Sequence, residues 1–136
     1  MSRMIELSFQ TTKKEEIVDI TEDIEKTVLG TSSGVAFLLL KHTTAFLAIN
    51  ESADPGIKED FLRVLSMFAP EKVKGGWAHG RVHDNATAHL KASLIGPSLA
   101  IPVFDGRLAL GEWQRIWLCE FDGPRARKLV VKVMKG

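Results

Sequence analysis

Hydrophobic and polar residues alternate near both ends of the chain. Within 3–9, Ile5, Leu7 and Phe9 are separated by polar side chains. Within 128–134, Leu129, Val131 and Val133 alternate with Val130, Lys132 and Met134. A period of two places the apolar side chains on one face of an extended segment. We therefore predict a half-buried strand at each end.

Helical spacing predicts two or three helices between these strands. Four apolar residues before Gly30 recur at intervals of three to four positions: Ile17, Ile20, Ile24 and Val28. They predict a helix over 14–29 that begins at a threonine cap, Thr11 or Thr12. Asp54 followed by Pro55 is typical of a helix start, and this helix should end near Pro70.

The remaining segments are predicted to be one short helix, one loop and several strands. The helix covers 85–95, and the glycine-rich stretch 71–84 is a loop. The run 35–40 is continuously apolar, which predicts a strand covered on both faces, with 45–49 as its neighbour. The later strands flank an Asp-Gly turn: 98–103, 107–110 and 114–121. Strands at the ends and helices between them favour an α+β class.

Composition narrows the function classes. A chain of 136 residues with 45% hydrophobic residues fits one domain, 1–136, with a real core. A net charge near +1 gives no broad basic surface for nucleic acid. The one cysteine, Cys119, suits a reducing cytosol and is interpreted as buried packing. No long apolar run indicates a membrane span or signal peptide, so we expect a cytoplasmic protein.

Three of the four histidines lie within eleven residues, and the fourth follows an apolar strand. Imidazole is a common metal ligand and proton carrier. His42, His79 and His89 could form an open three-ligand site for zinc or another divalent metal, although their spacing matches no known zinc motif. The alternative is that they cap helices or bond to the backbone. His83 is interpreted as a solvent-facing loop residue.

A carboxylate and several polar residues are further candidates. Asp54 is explained by helix capping alone, or it could orient a histidine or act as a general base. Asn50 and Glu51 are similar substrate-binding candidates. Ser93 lies one helical turn beyond His89, so the two could share a phosphate, or Ser93 could simply pack.

Four more side chains are candidates either for packing or for the site. Lys91 either extends into solvent or reaches another part of the cleft. Trp113 and Gln114 point to opposite faces of a strand, so we expect Trp113 in the core and Gln114 in a pocket. Glu120 lies in an apolar strand and needs a partner if it points inward, with Arg125 or Arg115 as candidates.

Two long segments resemble a known family. These are HTTAFLAINESADPGIKEDF and AHLKASLIGPSLAIPVFDGRLALGEWQRIWLCEFDGPR, and they resemble the YjbQ family, also called UPF0047. Its signature of serine, aliphatics, glycine and Gly-Thr-Trp-Gln is matched by Ser98, Leu99, Ile101, Gly106, Gly111, Glu112, Trp113, Gln114 and Ile116. Glu112 replaces the usual threonine.

The resemblance implies a fold, an assembly and a site. The fold is a jelly-roll-like β-sandwich with two to three helices packed outside, assembled as a homotrimer. The site lies at or near the subunit interface, around His42, His79, His89 and Asp54. Members carry the name secondary thiamine-phosphate synthase.

Two functions remain open from the sequence. The first is a small-molecule enzyme with a histidine-rich site, either a thiamine-phosphate synthase-like transferase with weak activity or a zinc-dependent hydrolase. The second is a non-catalytic trimeric module that binds a metal or a phosphorylated metabolite. The chain lacks an acidic magnesium cluster, which argues against an efficient diphosphate enzyme.

Overall fold

The computed structural model describes residues 2–79 and 84–136. These residues form eight strands and three helices. The elements in chain order are β1 Ser2–Gln10, β2 Glu16–Asp19, α1 Thr21–Val28, β3 Ser33–Leu40, β4 Ala45–Asn50, α2 Gly56–Phe68, α3 Ala86–Ile95, β5 Ser98–Phe104, β6 Arg107–Leu108, β7 Arg115–Glu120 and β8 Ala126–Lys135. No helix among them is long and apolar enough to cross a membrane.

The strands form two antiparallel sheets that face each other. The large sheet has the order β1-β8-β3-β5-β6 and the small sheet β2-β7-β4. The main core lies between them, with contributions from β3, β8, β5, β7, β4 and α1. The predicted α+β sandwich with helices outside is therefore confirmed.

A second cluster of buried residues lies on the other side of the small sheet, so this sheet is covered on both faces. Ile116 and Leu118 of β7 point into the main core, whereas Trp117 and Cys119 point outward. There they meet residues of α2 and α3, including Leu65. The strands with apolar cover on both sides are thus β4 and β7. The expectation of a buried Cys119 is confirmed, and burial raises the pKa of its thiol.

The predicted helix over 14–29 is wrong in its first half. Residues Glu16–Asp19 form β2, which pairs with β7 through Ile17 opposite Cys119. Pairing at the open edge of β7 overrides the helical spacing of the apolar residues. The Thr12 backbone nitrogen does donate to the Glu16 carboxylate at 2.9 Å, as it would at a capped helix start, but the next residues form β2. The later residues of the pattern lie in α1 as predicted.

Two predictions about β3 are also wrong. β4 pairs with β7 in the other sheet, whereas β3 lies between β8 and β5. β3 is not covered on both faces either, because Phe37 is 44% and Leu39 47% exposed in the single chain. The helix start at Asp54 is confirmed, since its carboxylate accepts a hydrogen bond from the Gly56 backbone at 2.8 Å.

An ion pair buried between the sheets joins β7 to β8. Glu120 has the same alternation as Ile116 and Leu118, and Arg127 has that of Leu129, so both charges point inward. Their side chains are only 0% and 2% exposed. Arg127 Nε donates to Glu120 at 2.9 Å, and Nη2 also contacts it. The partner of Glu120 is thus Arg127 rather than the predicted Arg125 or Arg115.

Two threonines complete this pair. The Thr11 hydroxyl donates to Glu120 at 2.7 Å, and Arg127 Nη2 donates to the Thr44 hydroxyl at 2.8 Å. Burial by itself raises the pKa of Glu120, but the bonds from Arg127 and Thr11 outweigh it and hold the pKa below its ordinary value. The stabilisation is therefore present at neutral pH and is lost as the pH falls below the ordinary glutamate range.

We expect Arg127→Met to lower the free energy of unfolding by about 3–5 kcal/mol, because it leaves the Glu120 carboxylate buried without its cation. Urea denaturation at neutral pH measures the loss. The double variant Glu120→Leu/Arg127→Met should recover most of it, since neither charge then remains buried. A single variant as stable as the unaltered protein would contradict a structural role for the pair.

Candidate functional site

A surface hollow of about 590 Å³ lies where the β3–β4 loop, the start of α3 and the β7–β8 loop meet. Its lining is mostly polar: Lys41, His42, Thr43, Thr44, Asn85, His89, Asp122, Arg125, Ala126 and Arg127. We call it the histidine hollow, because it brings together imidazoles from two distant parts of the chain. Both His42 and His89 line this hollow, as the sequence analysis expected, whereas their role as site residues stays a prediction.

His42 is held by a backbone contact. Its Nε2 accepts a hydrogen bond from the Lys128 backbone nitrogen at 2.8 Å. An accepting Nε2 carries no proton, so the neutral ring carries its proton on Nδ1. Burial, followed by the positive charge of Arg127, lowers the pKa of His42. At neutral pH this ring is therefore an uncharged hydrogen-bond donor through Nδ1.

His89 lies in the first half of α3, and its ring faces that of His79. The two ring centres are 4.6 Å apart. Burial lowers the pKa of His89, and the proximity of His79 lowers it further, while Asp122 opposes both effects. A neutral imidazole next to open space is available to accept a proton near pH 7.

Asp122 and Asn85 fix the wall next to His89. Asn85 donates to the Asp122 carboxylate at 2.9 Å, and Arg125 donates to the same oxygen at 2.9 Å. Burial raises the pKa of Asp122, but these two bonds outweigh it and the pKa stays below its ordinary value. Asp122 is thus a fixed negative charge that stabilises a proton on His89. The buried Asn85 Oδ1 accepts no hydrogen bond from the described residues.

Several predicted site residues lie at the opposite end of the small sheet. The register of β4 on β7 sets Ala45 opposite Glu120 but Asn50 opposite Arg115. At about 3.3 Å per residue, the strand separates these ends by roughly 17 Å. Asn50, Glu51, Asp54 and Gln114 therefore do not line the histidine hollow in one chain.

The side chains at that end make local contacts. Asn50 accepts a hydrogen bond from the Glu51 backbone at 2.8 Å, and Gln114 accepts one from the Gly111 backbone at 2.7 Å. Gln114 also borders a second hollow, of about 450 Å³, which agrees with its predicted place in a pocket. Trp113 is 61% exposed, so its predicted place in the core is wrong.

Two predicted residues of α3 make other contacts. Lys91 is 2% exposed, and its Nζ lies 2.9 Å from the Glu15 carboxylate and 5.0 Å from the ring centre of Phe121. The expectation that Lys91 extends into solvent is wrong, because the Glu15 carboxylate pairs with it. The Ser93 hydroxyl donates to the His89 backbone carbonyl at 2.9 Å and is directed along the helix.

The predicted metal site does not assemble within the described ranges. These contain no group of three or more His, Cys, Asp or Glu side chains placed to hold one ion. The Nε2 lone pair of His42 is also occupied by the Lys128 N–H. Zinc or another divalent metal on His42, His79 and His89 stays a prediction that this donor set does not support. His83 lies outside the described residues.

Arg127 and Asp122 are the residues that the sequence interpretation missed. Arg127 precedes Leu129 and Val131 by even steps, so the alternation of β8 places a cation at an inward position. That pattern could have paired it with Glu120. For Asp122 no such signal exists, because only the turn between the sheets brings it next to Asn85.

Comparison with known proteins gives matches over nearly the whole chain. A family model described as UPF0047 protein YjbQ-like matches residues 5–136. A UPF0047 protein of Archaeoglobus fulgidus is 44% identical over 130 residues, covering 96% of this chain and 100% of that protein. The UPF0047 protein YugU of Bacillus subtilis is 42% identical over 133 residues, covering 94% of this chain and 96% of its own.

Solved structures agree with the fold. A crystal structure of a YbjQ-like protein of unknown function from Sulfolobus solfataricus has a TM-score of 0.93 at 33% identity, covering 100% of this chain and 99% of that one. An uncharacterised protein of the YjbQ/UPF0047 family from Clostridium acetobutylicum has a TM-score of 0.87 at 42% identity, covering 96% and 99%. Neither description states an activity.

We expect His79→Ala to raise the pKa of His89, because the nearby His79 ring lowers that pKa and its removal also exposes the His89 ring. An NMR titration of the histidine Cε1 protons measures this change. His42 is the internal control, since its pKa is lowered by burial, Arg127, Arg125 and Lys41 rather than by His79. An unchanged or lower His89 pKa would show that the two rings do not interact in solution.

Proposed function

Since the chain belongs to the UPF0047 protein YjbQ-like family, we propose from its own side chains that it is a small-molecule enzyme acting in the histidine hollow. The observation that carries the proposal is the meeting of His42 and His89 on one open cavity. Their lowered pKa values keep both rings uncharged at neutral pH. The His42 ring can donate a hydrogen bond through Nδ1, and the His89 ring can accept a proton.

The two imidazoles take different roles in this proposal. The Lys128 N–H fixes the His42 ring, which presents its Nδ1 proton as a hydrogen-bond donor to the substrate. His89 accepts a proton as the general base, and the fixed charge of Asp122 stabilises the imidazolium that forms. Burial and the proximity of His79 lower the pKa of His89 and so keep the resting base neutral.

The finer version of the proposal is a thiamine-phosphate synthase-like transfer. In that reaction a thiazole phosphate nitrogen attacks the methylene carbon of a pyrimidine pyrophosphate, and pyrophosphate leaves. The leaving group needs cationic or N–H donors. Among the described residues, the lining of the hollow includes Lys41, Arg125 and Arg127 but one carboxylate, Asp122. This donor set fits a phosphorylated substrate better than a magnesium-bound one.

Turnover on a panel of phosphorylated metabolites, including the pyrimidine pyrophosphate and thiazole phosphate pair, tests the enzyme proposal. We expect His89→Ala to reduce kcat by about 10²–10⁴-fold, the usual contribution of a proton-transfer group. His42→Ala should reduce it by about 10²–10³-fold, the usual effect of losing a hydrogen-bond donor to the reacting group. Ser66→Ala is the control, because this exposed serine of α2 does not line the hollow and its hydroxyl donates to the Leu62 carbonyl at 2.9 Å.

Two outcomes would overturn the proposal. Full turnover in both histidine variants would remove the proposed centre. Ligand binding that depends on the histidines, with no turnover of any bound compound, would instead indicate the non-catalytic module that binds a phosphorylated metabolite.

We also propose that the protein assembles as a homotrimer, as the family resemblance implies. The outer face of the large sheet supports this. Its exposed apolar side chains include Met4, Phe37, Leu39, Phe104 and Met134, which are 44–73% exposed in the single chain. An apolar sheet face of this kind is typical of a surface covered in an assembly. Contact between copies would also explain why the outward side of β3 is apolar.

Leu39→Glu should shift the protein from the mass of three chains to the mass of one, because it places a charge in the centre of the outer face. Sedimentation velocity or light scattering measures the mass. Ser66→Glu adds the same charge on the exposed side of α2 and should leave the assembly intact. A single-chain mass for the unaltered protein would show the trimer prediction to be wrong.

A further inference from the structure

Arg127 reaches both the buried core and the histidine hollow. Its hydrogen bonds to the described residues leave from Nε and Nη2, towards Glu120 and Thr44. Nη1 donates to none of them. Among fully enclosed side-chain polar atoms of the described residues, only Asn85 Oδ1 lacks a partner. Arg127 is one of the residues that line the hollow, so part of this side chain borders the cavity although only 2% of it is exposed.

We infer that Arg127 anchors a phosphate group of the substrate at the floor of the histidine hollow through Nη1. This inference rests on the proposed function, in that it names the substrate class for the same hollow. Arg127 is then a substrate-binding residue as well as part of the ion pair with Glu120.

The ion pair prepares Arg127 for this role. An exposed arginine must lose the freedom of a long side chain when it binds an anion. The Arg127 guanidinium is already fixed in its plane by Glu120 on one side and by the Thr44 hydroxyl, 2.8 Å away, on the other. Binding at Nη1 therefore needs little further ordering, and a partly desolvated site strengthens the bond.

The other donors around the hollow favour phosphate over carboxylate. Lys41 and His42 lie in the β3–β4 loop, Arg125 lies in the β7–β8 loop and Arg127 lies on β8. The donors that line the hollow therefore come from three different segments. A tetrahedral phosphate accepts bonds on all sides, whereas a planar carboxylate accepts them along one edge. Arg125 and Arg127 are each paired with one carboxylate, Asp122 and Glu120, and these pairs hold their guanidinium groups in place beside the hollow.

The test measures binding of inorganic phosphate and of pyrophosphate by titration calorimetry, at low and at physiological salt. The main variant is Glu120→Leu/Arg127→Met, which removes the anchor without leaving a buried charge. We expect it to weaken pyrophosphate binding by at least about tenfold, the usual effect of losing a charge-assisted contact. Arg63→Met, which removes an exposed arginine from α2, is the matched control and should bind as the unaltered protein does.

A second variant covers the case in which the double variant does not fold. Arg127→Lys keeps the charge next to Glu120, but its single nitrogen cannot bond Glu120, Thr44 and a ligand in the same plane. We expect weaker pyrophosphate binding with circular dichroism and melting temperature close to normal. Either a folded variant with unaltered affinity or an unaltered protein that binds neither anion would overturn the inference.

These outcomes are separate from the test of the enzyme proposal. The unaltered protein could bind the anions without any turnover, and the Arg127 variants could lose that binding. This result would support the phosphate anchor and remove the enzyme proposal. Histidine-dependent turnover of compounds without phosphate, together with no anion binding, would support the enzyme and remove the anchor.

Discussion

The buried contact between Glu120 and Arg127 is the constraint on which the histidine hollow depends. The two residues lie in different sheets, on either side of the turn that joins β7 to β8. Two charges this deeply buried are stable only as a pair with their remaining atoms bonded, and Thr11 and Thr44 supply those bonds. The pair therefore fixes where the sheets meet at this end of the core.

The same contact places the functional groups. Thr44 follows His42 in the loop before β4, and Asp122 follows Glu120 in the turn, where its backbone nitrogen donates to the Glu120 carboxylate at 3.1 Å. α3 completes the hollow by packing on the outer face of the small sheet, which brings His89 to Asp122. Structure and chemistry thus share one set of side chains, and we expect changes at the pair to affect stability and binding together.

The other end of the small sheet has a different character. Gln114 and Arg115 border a second hollow there, and Trp113 projects into solvent. Polar side chains that the family resemblance groups with the histidines, Asp54 above all, lie at this end in the single chain. A joint site for both groups would need two copies of the chain, which agrees with the proposed homotrimer and with the apolar outer face of the large sheet.

Local pattern was enough for much of the secondary structure. The alternation of Leu129, Val131 and Val133 predicted β8, and Asp54-Pro55 predicted the start of α2. The motifs around Gly111 to Gln114 were specific enough for the family. His42 lies outside the histidine-rich stretch 79–89, so it is the fold that places it along the same hollow as His89.

Tertiary structure decided what depends on pairing partners distant in sequence. Whether Ile17 belongs to a helix or a strand was settled by the open edge of β7, and β4 went to the second sheet for the same reason. Lys91 is buried because Glu15 meets it from a segment 76 residues away. A sequence shows that Glu120 needs a cation, but only the crossing of two sheets brings Arg127 to it, since long-range geometry is not encoded in any local period.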